Sequence, residues 1–246
     1  MRVKTNSQLP LARRRGTAQK ACLPADEVHI WWAGLRAGRD VLCTCWDLLS
    51  AEEKRSALAH RFAKDRREFV VTRALLRKIL AHYAGQAAAY VCFDSNSSGK
   101  PLLRGTEGLR FSVSHSHDLA LLVIARRRVG IDVEYIRSSV VRKAVIDQCL
   151  SLPEQIRLQA MPAKVRALAL YRCWTKKEAV LKAVGVGLSY SPRHVNVLTG
   201  RRSHVVCALG RRWFVRQIAA PAGYAAAAAI EEPHRRLRWR QRKVQA

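Results

Sequence analysis

A chain of 246 residues can bury a substantial core without disulfide or metal staples, whether as one large domain or two small ones. Its 49% hydrophobic content excludes a disordered or fibrous chain, and the alanine-rich stretch 225–230 falls far short of the ~20 residues that a membrane-spanning helix needs. With 45 Lys and Arg against 18 Asp and Glu, the formal charge of +27 selects anionic partners: nucleic acid, phosphorylated cofactors, anionic lipid or an acidic protein. Much of that excess stands in Arg runs at turns and ends (13–15, 126–128, 201–202, 211–212 and 235–243), so a solvated basic surface accounts for most of it.

The N-terminal residues are basic but lack the continuous apolar core of a secretory signal, so residues 1–21 read as a flexible segment of a cytoplasmic protein. Seven cysteines with no C-x-x-C spacing fit reduced thiols, and alternation in Val41–Trp46 would put Cys43 and Cys45 on one strand face. Val28–Trp32 and Val41–Trp46 read as strands. Ser50 followed by Glu53 marks a capping box that opens a helix, and a longer helix from about Asp65 to Tyr83 stops at Gly85. On it Phe69, Leu76, Leu80 and Tyr83 form one stripe bordered by Arg66, Arg73 and Arg77, as snorkelling basic residues often do.

Tyr90–Phe93, Leu109–Val113 and Leu119–Ala125 then suggest an antiparallel meander. Val129–Tyr135 opens a second half, with helical segments at 138–149, 153–159 and 163–184 and closing strands at 195–198, 203–209, 213–218 and 224–230. Each half has strands and a long helix, so the expected fold class is α+β, built as two similar lobes. The boundaries fall at 22–126 for the N-terminal lobe and 127–232 for the C-terminal lobe, followed by a basic tail, 233–246.

Chemistry concentrates in a few segments. In Val129-Gly130-Ile131-Asp132-Val133-Glu134 the strand period puts both carboxylates on one face, where their repulsion calls for a hard cation such as Mg²⁺, although exposed strands also carry alternating acids. Trp174, Glu178 and Lys182 stand four residues apart on a helix, presenting an acid and an ammonium together, as an ordinary surface pair also does. Lys100 in Gly99-Lys100-Pro101 can reach a phosphate, and Ser114-His115-Ser116 at a strand end offers hydroxyls and an imidazole.

The order G-K-P, F-S-V-S-H-S, V-G-I-D-V-E and W-T-K-K-E-A-V-L-K, with G-V-G-L after it, resembles the Sfp-type 4'-phosphopantetheinyl transferases from about Val28 to Ile230. The resemblance implies a pseudo-twofold pair of α+β lobes with coenzyme A in the cleft between them. It implies Asp132, Glu134 and Glu178 as Mg²⁺ ligands, with Mn²⁺ an alternative, and Glu178 as base for the acceptor serine. Lys182 would contact the pyrophosphate and ease the leaving group, while Arg73, Lys100, Ser114, His115 and Lys177 would bind phosphates of the nucleotide; Trp174 would pack the helix. The implied reaction moves the phosphopantetheine arm to a serine of an apo-acyl or apo-peptidyl carrier protein and releases 3',5'-ADP. The implied protein is a monomer with no membrane and no specific nucleic-acid partner.

Three rival readings remain at this point. A nucleic-acid-binding protein would use the charge but leave the acids unexplained. A metal-dependent phosphohydrolase or nuclease would use the acids but not the flanking lysine motifs. A catalytically dead family member would act as a binder alone.

Overall fold

The computed structural model describes residues 21–137, 143–186, 190–197, 203–232 and 236–245. In chain order these form β1 (Glu27–Gly34), α1 (Arg39–Asp47), α2 (Ala51–Leu58), α3 (Ala63–Ala84), β2 (Phe93–Ser95), β3 (Pro101–Leu103), β4 (Arg110–Ser116) and β5 (Leu119–Ala125). The second half contributes β6 (Val129–Tyr135), α4 (Lys143–Cys149), α5 (Leu152–Gln159), α6 (Ala163–Val184), β7 (Ser203–Ala208), β8 (Arg211–Gln217), β9 (Tyr224–Glu231) and β10 (Arg238–Lys243).

Two four-stranded sheets result, in the orders β10-β1-β5-β4 and β6-β9-β8-β7, with β2 and β3 as a separate hairpin. Alternation along the strands gives each sheet two apolar faces. One face of the first sheet (Trp31, Ala33, Phe111, Leu122, Ile124) packs against Leu75, Leu76, Ile79 and Leu80 of α3. Its other face (Val28, Ile30, Leu121, Val123) packs against Ile131, Val133, Ala226, Ala228 and Ile230 of the second sheet. The far face of that sheet (Val206, Trp213, Val215, Ala227, Ala229) is covered by Ala179, Val180 and Ala183 of α6. The layers are therefore helix, sheet, sheet and helix, the two-lobed α+β architecture expected.

The likeness of the lobes reaches individual side chains. Both long helices have 22 residues and end at a left-handed glycine, Gly85 (φ 71°) and Gly185 (φ 86°), where an L side chain would be strained. Each is preceded by a short capped helix whose acid reaches onto the long one. Glu53 accepts from the Ser50 N–H at 2.8 Å and from Arg77 Nε at 2.7 Å. Glu154 accepts from the Ser151 N–H at 2.8 Å and lies 2.6 Å from Lys177 Nζ. Both cations then donate to the loop after their helix: Arg77 to the carbonyls of Ala88, Ala89 and Val91, Lys177 to those of Pro192 and Val195.

Several local expectations need correction. Residues 39–47 form a helix rather than a strand, because Leu42, Cys45, Trp46 and Leu49 recur at helical spacing and meet the first core. Cys45 is accordingly buried while Cys43 is exposed. Residues 195–197 are not a strand, because Lys177 takes the Val195 carbonyl and Glu154 takes the Val197 N–H at 2.9 Å, groups a ladder would use. Tyr90 lies in a 3₁₀ turn, so the strand there starts only at Phe93. The supposed C-terminal tail contains β10, which pairs in parallel with β1 and closes the first sheet. Its arginines are engaged: Arg238 with Asp26 and Glu27, Arg240 with Glu27, and Arg242 over the Trp31 ring. A basic edge of this kind also discourages pairing with a stray strand. Residues 1–20, 138–142, 198 and 233–235, on which other expectations fall, lie outside the described residues.

Gly130 sets how closely α6 approaches β6. A Cβ there would stand 2.1 Å from the Ala179 carbonyl oxygen and 2.4 Å from the Ala183 nitrogen. Gly130→Ala is therefore expected to push the helix off the strand and cost about 3 kcal/mol by urea denaturation.

Candidate active site at the seam between the lobes

β6 pairs with β9 on one edge and faces β4 of the other lobe along its second edge. No backbone ladder spans that seam. Instead the N–H groups of Ile131, Val133 and Tyr135 donate to the hydroxyls of Ser112, Ser114 and Ser116 at 3.3, 3.4 and 3.1 Å. Both strands repeat every two residues, so alternate serines meet alternate amides. The S-x-S-x-S pattern of β4 thus supplies the acceptors that a neighbouring strand would have offered.

On β6, the residues opposite this inward apolar set are Gly130, Asp132 and Glu134. Because Gly130 admits α6, Glu178 and Lys182 come down beside the acids. Asp132 is 3% exposed, which makes its charge state the electrostatic centre of the site. Its Oδ1 accepts from Lys182 Nζ at 2.7 Å and from the Ser114 hydroxyl at 2.9 Å, and Lys182 also donates to Ser114 at 2.9 Å. Its Oδ2 is buried and, among the described residues, has no hydrogen-bond partner. Glu134 accepts from the Ser116 hydroxyl at 2.8 Å.

All three acids are held above the usual carboxylate range. Burial raises Asp132 against the opposing pull of Lys182 and Ser114. For Glu134 burial comes first and the Asp132 charge second, with Ser116 and Trp174 opposing. For Glu178 burial and Asp132 act together, Lys182 opposes, and Glu134 adds to the rise. Among the described residues no hydrogen bond or ion pair holds the Glu178 carboxylate. Crowded, partly desolvated acids with a buried bare oxygen fit a divalent cation with oxygen preference. Among the described residues no three His, Cys, Asp or Glu side chains enclose an ion by themselves, so such a cation would need oxygens from substrate or water as well.

The other expected site residues fare differently. Ser114 is buried against Asp132 and Lys182, as above. His115 points to the opposite side of β4 and is exposed as a residue, while desolvation of its ring lowers it below the usual imidazole value, Lys182 and His60 pushing the same way and Glu68 and Asp65 opposing. Arg73 lies 3.1 Å from Glu53 and over the rings of Phe69 and Phe93, with part of its guanidinium exposed. Trp174 packs beside Leu150, Leu158 and Leu170.

Two lysines are elsewhere than expected. Lys177 has a fully buried side chain paired with Glu154, so it holds the fold and offers nothing to a phosphate. Lys100 directs its ammonium at the carbonyls of Val129, Lys182 and Ala183, while Asn96 Nδ2 donates to the Gly185 carbonyl at 3.0 Å. Burial, with Arg128 and Arg110 nearby, lowers Lys100 to about 8. The G-K-P loop of the first lobe therefore clamps the C-terminus of α6, where a cation meets the negative end of the helix.

Ser116, one of the hydroxyls that Ser114-His115-Ser116 offered in the sequence, is turned to Glu134, a pairing carried by the alternation of serines in β4 opposite the acids of β6. Gly130 was silent until the helix contact was seen.

Residues 128–229 match the 4'-phosphopantetheinyl transferase superfamily, and residues 36–127 match the N-terminal domain of 4'-phosphopantetheinyl transferase. The 4'-phosphopantetheinyl transferase HetI of Nostoc sp. is 36% identical over 171 residues, covering 68% of this chain and 72% of that protein. The 4'-phosphopantetheinyl transferase psf-1 of Bacillus pumilus is 29% identical over 142 residues, covering 58% of this chain and 60% of that one. The holo-[acyl-carrier-protein] synthase of Thermotoga maritima superposes with a TM-score of 0.31 at 21% identity, over 43% of this chain and 63% of that chain. The chain belongs to the Sfp-type 4'-phosphopantetheinyl transferases, and is an enzyme of that class.

Proposed function

We propose that the protein transfers the 4'-phosphopantetheine arm of coenzyme A to a serine hydroxyl of an apo-carrier protein and releases 3',5'-ADP, with Mg²⁺ at the carboxylate cluster. The observation that carries this reading is the convergence of Asp132, Glu134 and Glu178, each raised chiefly by burial and the two glutamates also by Asp132, beside the ammonium of Lys182. Family membership supports coenzyme A and a carrier protein as the substrates.

Asp132, Glu134 and Glu178 would hold the cation, with Mn²⁺ able to replace Mg²⁺; when bound it neutralises charge on the pyrophosphate. Glu178, held by no hydrogen bond or ion pair among the described residues and raised by burial and by Asp132, is suited to accept the proton of the attacking serine. Lys182, fixed by Asp132 and Ser114, places a positive charge where the leaving phosphate of 3',5'-ADP gains negative charge. His115 and Arg73 are the remaining candidates for the nucleotide phosphates. The basic surface would speed encounter with an acidic carrier.

All seven cysteines are free thiols, and among the described residues no helix is long and apolar enough to cross a membrane, which supports the cytoplasm as the place of action. The two lobes complete the seam within one chain, which supports a monomer. The test is to incubate the protein with coenzyme A, Mg²⁺ and apo-carriers of fatty-acid, polyketide and peptide synthesis and weigh the carriers. A gain of one phosphopantetheinyl group on the acceptor serine is expected, with equimolar 3',5'-ADP. No gain on any of them would overturn the proposal.

A further inference from the structure

Ser112, Ser114 and Ser116 occupy equivalent places along the seam, yet their surroundings differ in one respect. Each hydroxyl accepts an amide N–H from β6 and keeps its own proton to donate. The residue of β6 next to each donating amide is Gly130, Asp132 and Glu134 in turn. Ser114 gives its proton to Asp132 at 2.9 Å and Ser116 gives its proton to Glu134 at 2.8 Å, whereas Ser112 has only a glycine beside it. Ser114 is also held by Lys182, which ties it to the machinery already described. Among the described residues the Ser116 hydroxyl has no such second tie: it joins the Tyr135 amide at 3.1 Å to the Glu134 carboxylate at 2.8 Å.

We infer that Ser116 is a positioning residue for the metal site: from the first lobe it fixes which oxygen of Glu134 is turned toward the cation. A strand carboxylate can rotate about two side-chain bonds, and a hydrogen bond to Oε2 from a hydroxyl anchored on the neighbouring backbone, together with the Trp174 contact, restrains that rotation and sets which oxygen faces the cation. Partners of this kind behind a metal ligand are typically worth 10–100-fold in metal affinity or activity. Because the anchor belongs to the other lobe, the metal site also depends on the register of β4 against β6. This inference rests on the metal reading of the carboxylate cluster proposed above.

Mn²⁺ binding to the intact protein, followed by electron paramagnetic resonance, tests it without turnover. Ser116→Ala is expected to weaken Mn²⁺ binding about tenfold and to lower kcat in step, while Ser116→Thr, which keeps the hydroxyl, stays within about twofold of the unaltered protein. Ser112→Ala loses a seam hydrogen bond of the same type, so it should lose similar thermal stability yet keep Mn²⁺ affinity within about twofold. Equal Mn²⁺ affinity in Ser116→Ala and the unaltered protein, equal weakening in Ser112→Ala, or no recovery with Ser116→Thr would each overturn the inference and leave the metal reading standing. Absence of Mn²⁺ binding by the unaltered protein would overturn the metal reading itself, and this inference with it.

Discussion

Glu178→Gln is expected to lower kcat for carrier modification by about 10³-fold and, in the same protein, to raise the melting temperature of the metal-free form by about 2 °C at pH 8. The two effects share a cause. Burial, then Asp132, then Glu134 disfavour the Glu178 carboxylate, with only Lys182 opposing. An acid whose pKa is higher in the folded state than in the unfolded one binds its proton more tightly when folded. Its penalty is absent below the unfolded value, grows as pH rises toward the folded value, and stays constant above it. Glutamine removes one charge from the cluster and with it that penalty, but it cannot take a proton from a serine. The stability advantage of the variant should therefore shrink as pH falls from 8 to 5 in the presence of a chelator, measured by thermal melts. Added Mg²⁺ should stabilise the unaltered protein more than the variant. A variant that retains full activity would remove Glu178 from the reaction.

The largest expected effect on stability lies at Lys177→Met, at about 3–5 kcal/mol by urea denaturation. The substitution leaves Glu154, itself 4% exposed, without its cation, while that carboxylate still accepts the Ser151 and Val197 amides. It also frees the carbonyls of Pro192 and Val195 in the loop that Lys177 holds. Adding Glu154→Gln should recover a good part of the loss, since a neutral amide is cheaper to bury than an unpaired carboxylate. At a temperature where the single variant is folded, its KM for coenzyme A should stay within about twofold of the unaltered value. A stable Lys177→Met protein with a much raised KM would restore the lysine to the phosphate site.

This pair also shows where sequence reading stopped. K-K-E-A-V-L-K presents three lysines on one helix, and spacing cannot say which of them faces substrate. The structure separates them through the repeat: Lys177 does in the second lobe what Arg77 does in the first, and each follows a Ser-x-x-Glu capping box, Ser50 to Glu53 and Ser151 to Glu154. The repeated box was present in the sequence, but the distant cation that completes it becomes visible only when the long helix folds back.

Other parts were legible for clear reasons. The helices ending at Gly85 and Gly185 have strong local signals, and strand alternation correctly put Asp132 and Glu134 on one side of β6. Val41–Trp46 misled because its β-branched and aromatic residues also satisfy helical spacing, and the contact with α3 decided the matter. β10 was hidden by its charge: a strand of alternating arginines has no apolar face of its own and is held by the backbone of β1, the acids Asp26 and Glu27, and the tryptophan rings beneath. Lys100 looked like a free phosphate ligand because its partners are backbone carbonyls of the other lobe, which no side-chain pattern announces.

Titration calorimetry of coenzyme A into the protein, with and without Mg²⁺, bears most directly on the claim that three acids gather a cation against a diphosphate. Binding that strengthens at least about tenfold with the metal, and loses that gain in Asp132→Ala, is the expected result. Equal affinity in both conditions, or a metal gain that survives Asp132→Ala, would contradict it.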